Sequence, residues 1–410
     1  MHIIFLSNKN PFCDLSAGAN RSLGLLKELS NKGNSIKILI SGGYFNQDEY
    51  KTYNSKGIID GIAYEYLSSQ KNISIWDRRI REYFTNRIIW YSLRINFKKH
   101  LKKIEKDTVV WIGNSLINFK ITNVKLKQHY IKYFMELNEY PDIHLHNNST
   151  KYFWQKSIAN KQNNYFFKKT LHKLDGLALM TNNLIDYYSK RVSKKTNILY
   201  LPMTVALRRF NLDLNYPKLN DLHKPYIAFV GSMNNKKDGV NILIEAFAKI
   251  ADTYTDLTLC IFGFWTYDSP NHQKRIKDLG LQKRIVYSKP IASDDVTRLI
   301  MNAKILVLPR PDSYQAQGGF PTKLGEYLAT SNPVISTRVG EIPNYLENNK
   351  SIFFCDPGSI DSLTKTLNYV LNNKEKAINV GNAGRKVAET VFSSSIQGNR
   401  LNNFLKELIN

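Results

Sequence analysis

Two adjacent glycines, a lysine and a glutamate surround one predicted helix start. The sequence is Gly318-Gly319-Phe320-Pro321-Thr322-Lys323, and Glu326 follows about one turn later. Glycine lets backbone approach a ligand closely, and proline is favoured at the first position of a helix. The N–H groups of a helix start and the charge of Lys323 suit a phosphate, and Glu326 can accept hydrogen bonds from sugar hydroxyls. The pattern predicts a site for a sugar nucleotide, and the alternative is a glycine-containing loop before an ordinary amphipathic helix.

Alternating strand and helix patterns would position these residues. Ile3–Ser7 is predicted as a buried strand, Arg21–Asn31 as a helix and Ser35–Ser41 as the next strand. A strand, a glycine-containing turn, a helix and a second strand predict a parallel α/β unit. The other predicted strands are Thr108–Ile112, Ile131–Leu137, Gly176–Met180, Ile198–Leu201, Tyr226–Val230, Leu257–Phe262, Arg284–Tyr287, Ile305–Leu308 and Val334–Ser336.

The periodicity disappears between about 203 and 224, where we predict a linker. A chain of 410 residues exceeds one ordinary core, so two domains are expected, at 1–205 and 222–392. The fold class is α/β, with two doubly wound domains that face each other across a cleft. The amphipathic end, 393–410, is expected to pack back on the first domain. Ligands of such sheets bind at the carboxyl ends of the strands.

Composition narrows the class further. Apolar residues make up 42% of the chain, which is enough to build substantial cores and argues against disorder. No apolar run approaches the length of a membrane span, and the first residues lack a signal-peptide pattern. Cys13, Cys260 and Cys355 are isolated, which argues against a zinc site and a disulfide framework. These features indicate the cytosol.

The formal net charge is +24, and the excess of basic residues is steepest in residues 78–106. Arginines and lysines are interleaved there with bulky apolar residues such as Trp90 and Phe97. Such a mixture favours an interfacial helix on an anionic membrane. The alternatives are the solvated basic face of a packed helix and, less favoured, a nucleic-acid surface.

Four segments follow one another along the chain. They are Gly18-Ala19-Asn20; Phe229-Val230-Gly231-Ser232 with Lys236-Lys237-Asp238-Gly239; Leu308-Pro309-Arg310; and Gly319 to Thr337 with Glu326-Tyr327-Leu328-Ala329. In this order they resemble the retaining glycosyltransferases of family 4, of the type that builds bacterial surface polysaccharides. The resemblance spans nearly the whole chain and implies the GT-B fold and a nucleoside-diphosphate sugar as the donor.

The resemblance assigns the ribose of the donor to Glu326 and the diphosphate to Lys236 or Lys237. Relatives carry a second acid eight residues before the ribose glutamate, and here that position is Gly318; Gln315 or Gln317 would partly replace its hydrogen bonds. Relatives also carry an arginine where this chain has Ser232, and Arg310 and Lys323 would supply the missing charge. The expected donor site therefore comprises Gly231, Ser232, Lys236, Lys237, Arg310, Gln317, Gly318, Gly319, Phe320, Thr322, Lys323 and Glu326.

The acceptor side is expected on the first domain. Glu136 and Glu139 flank Asn138 at the end of a predicted strand, where relatives carry a histidine or an acid. A carboxylate within hydrogen-bond reach can act as a general base. We therefore name Glu139, Glu136 and Lys237 as catalytic candidates. Gly18, Ala19, Asn20 and Asn138 are the expected acceptor-side residues.

The favoured function is transfer of a hexose-type sugar to a glycan or lipid-linked acceptor, at the cytosolic face of the inner membrane. No metal is expected to be obligatory, because the resemblance implies catalysis by fixed cations. One alternative is a nucleotide-sugar-binding or partner protein that has lost catalysis, because of Gly318 and Ser232. Another is a glycosyltransferase that acts on nucleic acid.

Overall fold

The computed structural model describes residues 1–14, 16–42, 47–68, 86–102, 104, 107–123, 131–141, 153–217, 222, 224–289 and 291–410. These residues form two compact units. The first unit is Met1–Pro202 together with Ser394–Asn410, and the second unit is Met203–Ser393.

The first unit is built on a sheet in which eight strands are described, in the order β3-β4-β2-β1-β5-β6-β7-β8. All neighbours are parallel except β3 and β4. The strands are β1 (His2–Ser7), β2 (Ser35–Ile40), β3 (Lys56–Ile59), β4 (Ile62–Tyr66), β5 (Thr108–Ile112), β6 (Ile131–Leu137), β7 (Gly176–Leu179) and β8 (Asn197–Tyr200). The helices are α1 (Ala17–Asn31), α2 (Gln47–Thr52), α3 (Asn86–Lys102), α4 (Leu116–Thr122), α5 (Phe153–Tyr165) and α6 (Asn182–Ser189).

The second unit has a parallel sheet with six described strands, in the order β11-β10-β9-β12-β13-β14. The strands are β9 (Tyr226–Ser232), β10 (Thr258–Phe264), β11 (Ile285–Ser288), β12 (Ile305–Leu308), β13 (Val334–Thr337) and β14 (Phe353–Cys355). The helices are α7 (Asn235–Asp238), α8 (Val240–Ala251), α9 (Ser269–Asp278), α10 (Ser293–Met301), α11 (Tyr314–Gly318), α12 (Thr322–Leu328), α13 (Ile360–Asn372) and α14 (Lys374–Val387). The predicted α/β class is confirmed in both units.

The last helix, α15 (Ser394–Ile409), belongs to the core of the first unit. Leu401 and Leu405 are buried among residues of β1, β2 and α1. The Asn34 side-chain amide donates to Asn402 Oδ1 at 2.8 Å. Gly398 lies so close to α1 that a Cβ there would be 2.6 Å from Glu28 Cβ. The apolar face of the amphipathic helix is thus covered within the first unit.

The first part of the segment expected to be a linker, 203–210, is packed, whereas residues 211–215 are exposed. Met203, Val205 and Phe210 are all buried, and Val205 pairs with Ser393. Loss of periodicity marks irregular backbone here, and irregular backbone can still bury its side chains.

The basic segment 78–106 is described only in part, since residues 78–85, 103, 105 and 106 lie outside the described residues. Leu93, Phe97 and Leu101 in α3 recur every four residues, and all three are buried. The described apolar stripe of this helix therefore faces the first unit, and Lys99 and Lys102 stay exposed. No helix within the described residues is long and apolar enough to cross a membrane.

Candidate active site

The strand order of the second unit locates a ligand site. The chain winds from β9 through β10 to β11 on one side, and from β12 through β13 to β14 on the other. Ligands of open α/β sheets bind beside the carboxyl ends of the strands at such a reversal. Gly231 and Ser232 end β9, and Arg310 follows β12. Three residues from distant parts of the predicted donor site therefore lie at the reversal.

Lys323 enters this region from the first turn of α12. Its Nζ lies 2.6 Å from Asp238 Oδ1, and the two side chains are 19% and 3% exposed. A Cβ on Gly231 would stand 2.2 Å from Lys323 Nζ, so a larger residue there would displace the end of the lysine. The predicted lysine is therefore already paired with a carboxylate that our sequence analysis did not assign to the site.

The pKa of Lys323 depends on its burial and on the charged side chains beside it. Burial lowers the pKa of Lys323, Asp238 opposes this effect, and the nearby cations Lys237 and Arg310 lower the pKa further. Asp238 Oδ2 is buried without a hydrogen-bond partner among the described residues. Lys237 and Arg310 therefore add positive charge beside the Lys323–Asp238 pair, which makes the region attractive to an anion.

The short helix α7 carries the other two predicted lysines. Lys236 is exposed and Lys237 is half-buried. Asn234 caps the helix by accepting a hydrogen bond from Lys237 N at 3.0 Å. Asn235 N donates to Asp268 Oδ2 at 2.8 Å. The backbone that presents both lysines is therefore fixed from two sides.

A buried histidine supports the same helix. His272 Nε2 lies 2.7 Å from Asn235 Oδ1, which also accepts from Asn241 N at 3.1 Å. Because Asn241 N donates to this atom of Asn235, the atom is the amide oxygen, which can only accept hydrogen bonds. Nε2 of His272 is therefore the protonated nitrogen. Nδ1 then accepts from Tyr287 O–H at 2.9 Å. Burial lowers the pKa of His272 even though Asp268 acts in the opposite direction.

The glycine-rich segment before α12 is held by contacts of its own. Arg310 is buried, and its Nη2 donates to Gln315 O at 3.0 Å. Gln317 Nε2 donates to Asp312 Oδ1 at 2.6 Å. Gly318 ends α11, and Gly319 N donates to Gln315 O at 3.0 Å. These contacts fix the backbone that was expected to face the donor.

The start of α12 differs from the expectation. Pro321 is the N-cap, with ψ of 115°, and Thr322 is the first helical residue. The fixed φ of proline also suits the extended residue before a helix, so the prediction was wrong by one position. The Phe320 ring is buried against Tyr345 and Phe392, with centroids 5.6 and 5.4 Å away. Its side chain packs the core, which leaves only its backbone for a ligand.

Glu326 has a partner within the second unit. Arg209 Nη1 donates to Glu326 Oε1 at 2.8 Å, and the two side chains are 32% and 29% exposed. Arg209 Nη2 also donates to Thr297 Oγ1 at 3.1 Å. Sequence analysis did not find Arg209, because it precedes Glu326 by more than a hundred residues.

On the first unit, Glu136 is committed to a structural ion pair. It is buried in β6 and accepts a hydrogen bond from Arg21 Nε, whose Nη2 donates to Leu201 O at 3.0 Å. Glu139, two residues beyond β6, is exposed. Asn138 between them has a buried Oδ1 without a hydrogen-bond partner among the described atoms. Of the two acids, Glu139 is the one that is exposed to solvent.

The predicted glycine turn at Gly18 is part of a helix. Ser16 caps α1 by accepting from Ala19 N at 3.3 Å, so the helix begins at Ala17 rather than Arg21. Gly18 and Asn20 are exposed in its first turn, and a Cβ on Gly18 would meet nothing within 4 Å. Packing within the first unit therefore does not require glycine at this position.

Comparison with protein families finds a match within the second unit. Its residues 216–387 match the model for glycosyl transferases group 1. The match covers less than half of the chain, and over this stretch the chain is similar to the group 1 glycosyltransferases. The capsular polysaccharide biosynthesis glycosyltransferase CapM of Staphylococcus aureus is 26% identical to this chain over 213 residues, which cover 50% of this chain and 53% of CapM. The chain spans about half the length, or less, of the curated relatives that it matches.

Solved structures extend the likeness to both units. Sucrose-phosphate synthase from Thermosynechococcus elongatus has a TM-score of 0.73 at 14% identity, over 100% of this chain and 99% of that one. HepE of Anabaena in complex with UDP has a TM-score of 0.67 at 12% identity, over 99% and 100%. These matches establish the GT-B fold. Together with the group 1 match, they support the predicted resemblance to surface-polysaccharide glycosyltransferases.

Proposed function

We propose that this protein transfers a hexose-type sugar from a nucleoside-diphosphate sugar to a glycan or lipid-linked acceptor in bacterial cell-surface polysaccharide synthesis. The proposal rests mainly on one observation. Three cations lie at the strand reversal of the second unit: Lys237, Arg310 and Lys323. A departing nucleoside diphosphate develops negative charge, which preorganised cations stabilise. The UDP complex of HepE, which shares the fold, and the capsular role of CapM support the proposal.

In this proposal Lys237 makes the main contact with the diphosphate, and Lys323 contributes less. Lys323 already forms an ion pair with Asp238, so it holds α7 and α12 together. Its side chain is 19% exposed, and this exposed part contacts the phosphates. Glu326 binds the ribose, and the Gly318–Gly319 backbone lies against the donor. The cations serve where other transferases use a metal, and retention of anomeric configuration follows from the family resemblance.

The acceptor is assigned to the first unit. Glu139 orients the acceptor hydroxyl or takes its proton, because Glu136 is neutralised by Arg21. A lipid-linked acceptor would bring the protein to the cytosolic face of the inner membrane. The exposed lysines of α3 support an electrostatic contribution there, whereas its described apolar stripe is buried.

A thermal-shift panel of UDP-, GDP- and ADP-sugars tests the donor site. A specific ligand raises the unfolding temperature by mass action, so one nucleotide should stand out. Release of the nucleoside diphosphate in the presence of an oligosaccharide or polyprenyl-phosphate-linked acceptor then tests transfer. A thermal shift with a nucleotide sugar, but no release of nucleoside diphosphate with any acceptor, would indicate a nucleotide-sugar-binding protein that has lost catalysis. No shift with any nucleotide would refute the proposal.

A further inference from the structure

A loop of aromatic residues lies beside the candidate donor site. Phe264, Trp265 and Tyr267 are 58%, 44% and 57% exposed, and we call residues 264–267 the aromatic loop. Phe264 is the last residue of β10, where it is the register partner of Ser232 in β9. Because parallel strands end at the same edge of a sheet, the aromatic loop shares the carboxyl edge with the predicted diphosphate contacts.

Hydrogen bonds hold the aromatic loop against the residues that follow β9. Met233 N donates to Phe264 O at 3.0 Å, and Thr266 Oγ1 donates to Met233 O at 2.5 Å. Directly after the loop, Asp268 Oδ2 accepts from Asn235 N at 2.8 Å, and Asn235 begins α7. The loop is therefore fixed to the helix that presents the predicted diphosphate lysines.

Trp265 has its ring neighbours at β11. The centroid of the Tyr287 ring lies 6.2 Å from that of Trp265, and Lys289 Nζ lies 5.8 Å from the Trp265 centroid. In the sheet, β10 separates β11 from β9, so these neighbours stand about 10 Å, or two strand spacings, from β9. The indole therefore lies toward β11, whereas the predicted diphosphate cations lie at the β9–β12 reversal.

The chemistry of a nucleoside diphosphate matches this arrangement. One end of the molecule carries negative charge, and the other end carries a flat aromatic base. Glu326, the predicted ribose contact, is bonded through Arg209 to Thr297 of α10, the helix that follows β11. The exposed indole of Trp265 lies on that same side of the cations. The ring thus stands where a nucleotide that meets the cations with its phosphates would extend its base.

We propose that Trp265 stacks on the nucleobase of the donor. Stacking on an aromatic side chain contributes substantially to the binding of a base, and it tolerates any base because each has a π face. This inference rests on the nucleotide-sugar donor proposed above and adds the residue that holds its base. Trp265 supplies affinity for the nucleoside rather than a choice among bases. Our sequence analysis assigned no role to this tryptophan.

Affinity for nucleoside diphosphates tests the role of Trp265. UDP, GDP and ADP are first compared with the wild type, and the tightest binder is then titrated into variants of the full chain by calorimetry. Trp265→Ala should lower the affinity by on the order of tenfold, and Trp265→Phe, which keeps a ring, should lower it less. The matched control is Tyr369→Ala, because Tyr369 is also an exposed aromatic residue of the second unit, at 43%. The control should bind like the wild type.

Tryptophan fluorescence gives a second measurement that a folded, conservative variant can provide. A base stacked on the indole quenches its emission, so saturating nucleotide should quench the wild type more than Trp265→Phe. The inference is overturned if the quenching is equal in both proteins, or if Trp265→Ala binds as tightly as Tyr369→Ala. It is also overturned if Trp265→Ala weakens binding of the nucleotide sugar but not of the nucleoside diphosphate, since the ring would then contact the sugar.

The wild type separates these results from failure of the proposed function. In each of the overturning cases the wild type still binds nucleotide, so the proposed donor site stands without the stacking role of Trp265. A wild type that binds none of the nucleotides would refute the proposed function, and this inference with it.

Discussion

Removing Lys323 should destabilise the second unit because it strands a buried charge. In Lys323→Met the Asp238 carboxylate keeps its position, with a side chain only 3% exposed and its second oxygen without a partner among the described residues. The methionine fills much of the lysine stem, so lost packing contributes little. The dominant cost is the unpaired carboxylate.

The size of this effect follows from the burial of the pair. Removal of one partner of a buried ion pair costs about 3–5 kcal/mol. Lys323 is 19% exposed, so water can reach the vacated space, and we expect the lower end, about 3 kcal/mol. Asp238→Asn should cost less, because the remaining ammonium reaches water. The double variant should recover much of the loss, since neither charge is then left alone.

Urea unfolding followed by circular dichroism measures these free energies. The control is Lys249→Met, whose partner Asp361 is also 2.6 Å away but whose pair is 52% and 74% exposed. That exposed pair should contribute little to stability. If Lys323→Met cost no more than Lys249→Met, or if the double variant showed the sum of the single losses, the reasoning from burial would be wrong.

Three further predictions concern the second unit, and a glycine of the first unit serves as a control for one of them. Glu326→Ala should weaken nucleotide binding by on the order of tenfold while changing stability by under about 1 kcal/mol; Arg209→Met removes the same ion pair, and an equal loss of binding would show that the ribose role of Glu326 is mistaken. Stability should fall as pH decreases from 6.5 toward the lower folded pKa of His272, because the unfolded histidine binds more protons there. His272→Gln should flatten this part of a urea-unfolding pH series, and an unchanged slope would contradict the assignment. Gly263→Ala should lower the free energy of unfolding by roughly several kcal/mol, because its Cβ would lie 1.6 Å from a carbonyl oxygen of β9. Gly24→Ala, whose Cβ would meet nothing within 4 Å, should instead stabilise its helix. Calorimetry of both variants checks the contrast.

Local patterns in the sequence predict most of the sheet. The buried strands β1, β5, β9 and β12 are short apolar runs between turn residues, so their existence follows from residue type alone. The antiparallel hairpin β3–β4 escaped the analysis, although its Asp60-Gly61 turn, with φ of 49° and 76°, carries a recognisable signal. That Asp-Gly dipeptide is the feature of the sequence that predicts the hairpin.

Long-range pairing explains what the sequence did not reveal about the candidate site. Lys323 and Asp238 are 85 positions apart, and Arg21 and Glu136 are 115 apart. Residue type identifies each as a charged group, but only the fold decides whether it meets a substrate or another side chain. Lys323 and Glu136 were therefore correctly placed at strand or helix ends, while their partners stayed hidden.

The second unit is one uninterrupted stretch, Met203–Ser393, set within the sequence of the first. Its two ends are bonded side by side, since Val205 N donates to Phe392 O at 2.8 Å. A segment whose ends meet can be gained, lost or exchanged in one genetic event without displacing the termini of its host. The terminal helix stays with the first unit through such an exchange. Recombination therefore offers this chain a route to exchange the second unit while the core of the first unit stays intact.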